Sequence, residues 1–196
     1  MKNLTFGLYS LKNTVFTTQE ISLIIGETNL NRLKSKINYF VKKGRLINLK
    51  RGLYAKNIDF EILEAANKIL TPSYISLETV LQRSGITFQD YSHTIFVLSY
   101  QTREIKLGEY TISFKKIKDE ILTNSKGIVN QNGYAIAGAE RAFLDRIYLS
   151  KNYYFDNLEP IDWGKAEDLI KIYNNKAMKG RFRKYVKDFY ASIDND

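Results

Sequence analysis

Between residues 28 and 56 the apolar positions keep helical time. Leu30, Leu33, Ile37, Phe40 and Val41 recur at three- and four-residue steps and predict one buried face. Asn31, Ser35, Asn38 and Lys42 fall on a polar stripe of the same helix, flanked by Arg32 and Lys34. Gly44 stops the helix where a left-handed residue is easiest without a Cβ. Two short strand-like runs follow, 45–49 and 53–56, joined across Lys50, Arg51 and Gly52. Upstream, Leu4, Leu8 and Leu11 predict a first helix over 2–13. Thr17 and Glu20 then match a capping box, and Ile21, Ile24 and Ile25 share a face of a second helix that Gly26 ends. Thr28 or Asn29 is placed to cap the third helix. A short helix, a tight turn, an amphipathic helix and a hairpin are the order of a winged helix-turn-helix.

Beyond 57–59, read as a hinge, the pattern mixes periods. Residues 60–70 predict a helix, the stretch around Pro72 a break, and 76–81 a further helix ending near Gly85. Residues 94–100 read as a strand, and 103–107 with 110–117 as a hairpin around Gly108 that points Ile112, Phe114 and Ile117 inward. Asn132 and Gly133 join 127–130 to 134–137 in a second hairpin. Helices are predicted at 139–150, 165–174 and 179–191. The expected fold is α+β: an N-terminal winged helix-turn-helix domain over 1–57, then a mixed α/β domain over 58–196 with a small, largely antiparallel sheet and C-terminal helices.

Charge sharpens this division. Residues 1–60 hold 11 Lys/Arg against 3 Asp/Glu, while 61–196 hold 19 against 18, so nearly all of the +9 net charge lies in the first third. The stretch 28–56 has nine Lys/Arg and no acid. A basic segment on a near-neutral body suits a polyanion-binding module. Asn pairs with adenine in the major groove, which makes Asn31 and Asn38 the candidate base readers, with Ser35 beside them. Lys50 and Arg51, at a glycine turn, are placed to hold phosphates. The full candidate set is Thr28, Asn29, Asn31, Arg32, Lys34, Ser35, Asn38, Lys42, Lys50 and Arg51.

There is no cysteine, which excludes disulfides and thiolate metal sites and suits a reducing cytoplasm. No secretory signal and no membrane span are expected, and no cofactor. Neither phosphate-cradling glycine motif occurs. His93 is the only histidine and reads as a surface residue. Glu104 and Lys106, with Asp90 upstream, have the E-x-K spacing of metal-dependent nucleases, where strand positions i and i+2 share a face. Three residues in a Lys/Glu-containing hairpin are a low-specificity match, and the chain is expected not to be an enzyme.

Three segments carry a family resemblance. The run GRLINLKRGLYAKN resembles the wing signature of AbiEi-type antitoxins. PSYISLETVL (72–81) resembles the segment that opens their second domain, and AGAERAFLD (137–145) their helix start, with Ala139 where a proline is common. The matches fall in order and span about residues 17–150. The resemblance implies an antitoxin and autorepressor of a type IV toxin–antitoxin (abortive infection) operon, binding inverted repeats in its promoter and countering a nucleotidyltransferase-like toxin. The alternative is a winged-helix regulator whose second domain senses a ligand or dimerises. Glu140, Arg141 and Asp145 of the third segment are expected to be buried or helix-capping rather than catalytic. The cations of 176–187 are expected on the solvated side of an amphipathic terminal helix, with a second contact to DNA or to an acidic toxin surface as the sharper reading.

Overall fold

Thr17 starts a helix as its capping box predicts: the Glu20 backbone N–H donates to Thr17 Oγ1 at 3.2 Å, and Glu20 Oε2 accepts from the Thr17 N–H at 2.7 Å. The computed structural model describes residues 4–193 and divides into two units. The first comprises Met1–Thr71 with Gln131–Tyr134, the second Pro72–Asn130 with Ala135–Asp196.

In the first unit, helix α1 (Leu4–Tyr9) leads to strand β1 (Val15–Thr17), α2 (Thr18–Ile25), α3 (Leu30–Lys42), β2 (Ile47–Lys50), β3 (Leu53–Ala55) and α4 (Ile62–Ile69). The strands form an antiparallel sheet in the order β1-β3-β2, with Phe16 opposite Tyr54 and Asn48 opposite the same residue from the other side. Leu8, Phe16, Ile21, Leu33, Ile37 and Leu46 make the core. Its parts come from α1, β1, α2, α3 and the approach to β2, so burial of one apolar cluster fixes the helices against the sheet.

Three expectations for this unit are corrected. The first helix ends at Tyr9 rather than continuing to 13, and Leu11 is exposed; Lys2 and Asn3 lie outside the described residues. β1 was not anticipated, because three residues are too few to show a two-residue period. Leu30, assigned to the apolar face, is 66% exposed, since at the first position of α3 it projects beyond the core that Leu33 and Ile37 reach.

The sequence put the domain break at 57/58, whereas α4 groups with the first unit. The reason is Glu64, whose buried carboxylate accepts from the Thr14 N–H and Oγ1 at 2.8 Å each, from Val15 N at 3.2 Å and from Asn13 Nδ2 at 2.8 Å. Lys68 adds an ion pair to Glu64 at 3.0 Å and a bond to Val15 O at 2.7 Å.

The second unit is mixed α+β. Its elements are β4 (Ser73–Ile75), α5 (Glu78–Arg83), β5 (Thr94–Ser99), β6 (Arg103–Leu107), β7 (Tyr110–Lys116), α6 (Asp119–Leu122), β8 (Ile128–Gln131), β9 (Tyr134–Ala137), α7 (Ala139–Leu149), α8 (Trp163–Leu169), a 3-10 turn (Ile170–Tyr173) and α9 (Lys176–Ile193). Ile112 and Phe114 are wholly buried, as their alternation predicts, and Ile117, just past the strand, is nearly so. The sheet is larger than expected and mixed: six strands run β6-β7-β5-β4-β9-β8, with β4–β5 and β6–β7 antiparallel. The β6–β7 hairpin folds β7 back beside β5, which makes the β5–β7 pair parallel (Val97 opposite Phe114), and β4 pairs with β9 in parallel. Among the described residues, no helix is long and apolar enough to cross a membrane.

Candidate nucleic-acid interface

The turn between α2 and α3 is built from backbone and the side chains of Ser22, Glu27, Asn29 and Lys36. Gly26 adopts φ +66°, in the left-handed region, and its N–H closes onto Ser22 O. Ser22 Oγ donates to Glu27 O at 2.7 Å. Glu27 Oε1 accepts from the Asn29 N–H at 3.2 Å, and Lys36 Nζ meets Glu27 Oε2 at 2.6 Å. The Lys36 hydrogen bond, helped by the Asn29 N–H, holds the Glu27 carboxyl below its ordinary range although burial opposes it. Asn29 then caps α3: its Oδ1 accepts from the backbone N–H groups of Asn31 and Arg32 at 3.1 Å each.

This entry fixes the rotation of α3. Leu33 and Ile37 are 1% exposed in the core, and the opposite face carries Asn31, Lys34, Ser35, Asn38 and Lys42, all exposed. Thr28, Asn29 and Arg32 are exposed at its start. At the β2–β3 turn Lys50 and Arg51 are exposed, and Gly52 takes φ +85°. The Gly52 carbonyl accepts from the Thr18 N–H at 3.0 Å, which ties the hairpin tip to the start of α2. All ten candidate residues are therefore on the surface, but their side chains are not equivalent. Asn29 Oδ1 is occupied by the cap, whereas the side chains of Asn31 and Asn38 are exposed on the outer face.

Two cations of the basic stretch have structural duties. Lys36 is paired with Glu27. Lys56 is 9% exposed and donates to Leu11 O; burial pushes its ammonium down, while the Glu64 charge opposes that. Conversely, Tyr39 was missed. It is 54% exposed, stands edge-on to Phe40 and lies 5.9 Å beneath Lys43 Nζ. Its position four residues after Ser35 was the available signal.

Elsewhere the chemistry-bearing residues are arranged differently. Arg141 and Asp145 are wholly buried one turn apart on α7, with Nε and Oδ1 3.3 Å apart. Asp145 also accepts from Tyr173 at 2.6 Å, Ser76 at 2.8 Å and Tyr74 at 3.1 Å. Arg141 donates to the carbonyls of Ile121 and Lys126 at 2.8 Å each. Burial and the Asp145 charge push the Tyr173 hydroxyl well up, so it remains the donor. Glu140 lies in the first turn of α7 and accepts from the Asp162 N–H at 3.4 Å. Glu104 and Lys106 are exposed on β6, where Glu104 accepts from Ser113 Oγ at 3.3 Å; Asp90 instead accepts from the Ser92 N–H at 2.8 Å. No three His, Asp or Glu side chains among the described residues converge as metal ligands. His93 is exposed, 3.7 Å from Glu109.

No protein-family model matches the chain, and no curated protein matches it.

Proposed function

We propose that this chain is a DNA-binding autorepressor whose first unit acts as a winged helix-turn-helix, and that it is the antitoxin of a type IV operon. The observation that carries the DNA-binding reading is the two-faced α3. Leu33 and Ile37 anchor it, Asn31, Ser35 and Asn38 face outward, and the cationic tip Lys50–Arg51 lies on the hairpin of the same unit. A major groove about 12 Å wide admits such a helix. Asn31 and Asn38 then read adenine edges, Ser35 adds an adaptable bond, and Lys34, Lys42, Lys50 and Arg51 neutralise phosphates. Asn29 sets the start of α3 through its cap.

The antitoxin role and the nucleotidyltransferase-like toxin follow from the family resemblance of the three segments, not from the geometry. Two arms of one experiment test the reading. Expression of the chain should silence a reporter driven by its own upstream promoter, and it should restore growth to cells expressing the neighbouring gene. Silencing without rescue would leave a repressor that is not an antitoxin; neither effect would refute both.

A further inference from the structure

Helix α9 is seated by its apolar side. Met178 is wholly buried, Phe182 is 6% exposed, and Phe182 and Tyr185 join an aromatic cluster around Phe143. Its other sides carry six cations against the single acid Asp188. None of the ion pairs among the described residues uses any of those cations. An open groove runs along each flank. One, of about 490 Å³, brings Lys151, Arg181 and Lys184, with Asp188, beside Tyr154. The other, of about 360 Å³, brings Arg183 and Lys187, with Glu167, beside Tyr190. The two tyrosines are 81% and 51% exposed, although a large aromatic ring is ordinarily at least half covered.

We propose that α9 and its flanking grooves form a binding surface for single-stranded nucleic acid, separate from the α3 face. Cations track a sugar–phosphate backbone, and exposed ring faces stack unpaired bases. The combination chooses among anionic partners. A duplex hides its base faces, so it would use the cations and leave the tyrosines idle. An acidic peptide would likewise gain charge pairing but no stacking. Two exposed tyrosines, each in a groove where cations outnumber the one acid, fit a ligand that offers anionic charge and free aromatic faces together. Arg181 donates its Nε to Ile147 O at 3.0 Å, so its guanidinium is held at the groove rather than free to swing.

The test uses the full chain and fluorescence anisotropy with labelled oligothymidylate and oligouridylate of about 12 nucleotides, a length within one binding module's reach. A duplex of equal length and a polyglutamate competitor complete the set. The single strands should bind, and Tyr154→Ala should weaken them by about fivefold or more while Tyr154→Phe stays near the parent. Lys184→Ala should lower the salt slope by about 0.7. The proposal is overturned by absence of single-strand binding at low salt, by Tyr154→Ala binding like the parent, or by equal losses on duplex and single strand. It is also overturned if polyglutamate binds the parent more tightly than either oligonucleotide. Tyr154 is mostly solvent-facing, so its replacement should fold.

Discussion

Asn29 Oδ1 and the backbone N–H of Arg32 are 3.1 Å apart, the N-cap bond that starts α3. Asn29 thereby orients the helix. Asn29→Ala should therefore lower stability by about 0.5–2 kcal/mol, and Asn29→Asp should retain most of it. Urea unfolding followed by circular dichroism measures both. If Asn29→Ala folds as stably as the parent and loses only DNA affinity, the capping assignment fails.

Asn31 and Asn38 have the opposite profile. Both are exposed on the outer face of α3. Replacing either by Ala should leave stability within about 0.5 kcal/mol and lower specific affinity by about 1–3 kcal/mol, with relaxed sequence preference. Lys50→Ala and Arg51→Ala should instead weaken all sequences and reduce the salt slope by about 0.9 each. Competition between promoter and random duplexes separates the two classes. Equal losses on both DNAs for all four variants would remove the distinction between readers and clamps.

Glu64 makes the first unit acid-sensitive. Burial would raise its carboxyl, yet bonds from Asn13, Thr14 and Lys68 together hold it below the ordinary value. A carboxyl depressed in the folded state contributes stability above its unfolded value, and that contribution is lost as pH falls through the folded one. The loss should begin below about pH 4.5. Glu64→Gln should be less stable at neutral pH and should show a flatter melting temperature between neutral pH and the acid range. A parent whose acid dependence matches that of Glu64→Gln would contradict this.

Asp145 is the acceptor at the centre of the second unit's buried network. Asp145→Ala would leave Arg141 charged, buried and without its ionic partner, and should destabilise by about 3–5 kcal/mol. Arg141→Met with Asp145→Leu should be much less damaging than either single change, because no lone charge remains. Thermal unfolding of Arg141→Met, Asp145→Leu and their double variant, beside Asp145→Ala, checks this; additive losses would show that the pair is not coupled.

What the sequence disclosed follows the range of the forces involved. The Thr17–Glu20 box, the glycine stops at Gly26 and Gly44 and the two-faced α3 are local, and all are present. The Asn132–Gly133 turn is local too, and both residues take the positive φ it requires. The three-residue strands β1 and β4 were missed, since each is defined by its partner rather than by its own period. The parallel β5–β7 pairing escaped because reading a hairpin does not say on which side a third strand joins. At the candidate site, exposure of the α3 stripe was legible from spacing. The diversion of Lys36 to Glu27 and of Lys56 to Leu11 was not, because those partners lie outside the helical repeat. The Arg141 network draws on β4, Ser76, the 121–126 segment, α7 and the 3-10 turn, so no local pattern could assemble it.

The most direct test of the central claim is anisotropy binding of the purified full chain to its own upstream promoter duplex and to a scrambled duplex of equal composition, at two salt concentrations. A DNA-reading α3 requires tighter binding to the promoter at both salts, with affinity for each DNA falling as salt rises. Equal affinity for promoter and scrambled DNA, or binding indifferent to salt, would contradict it.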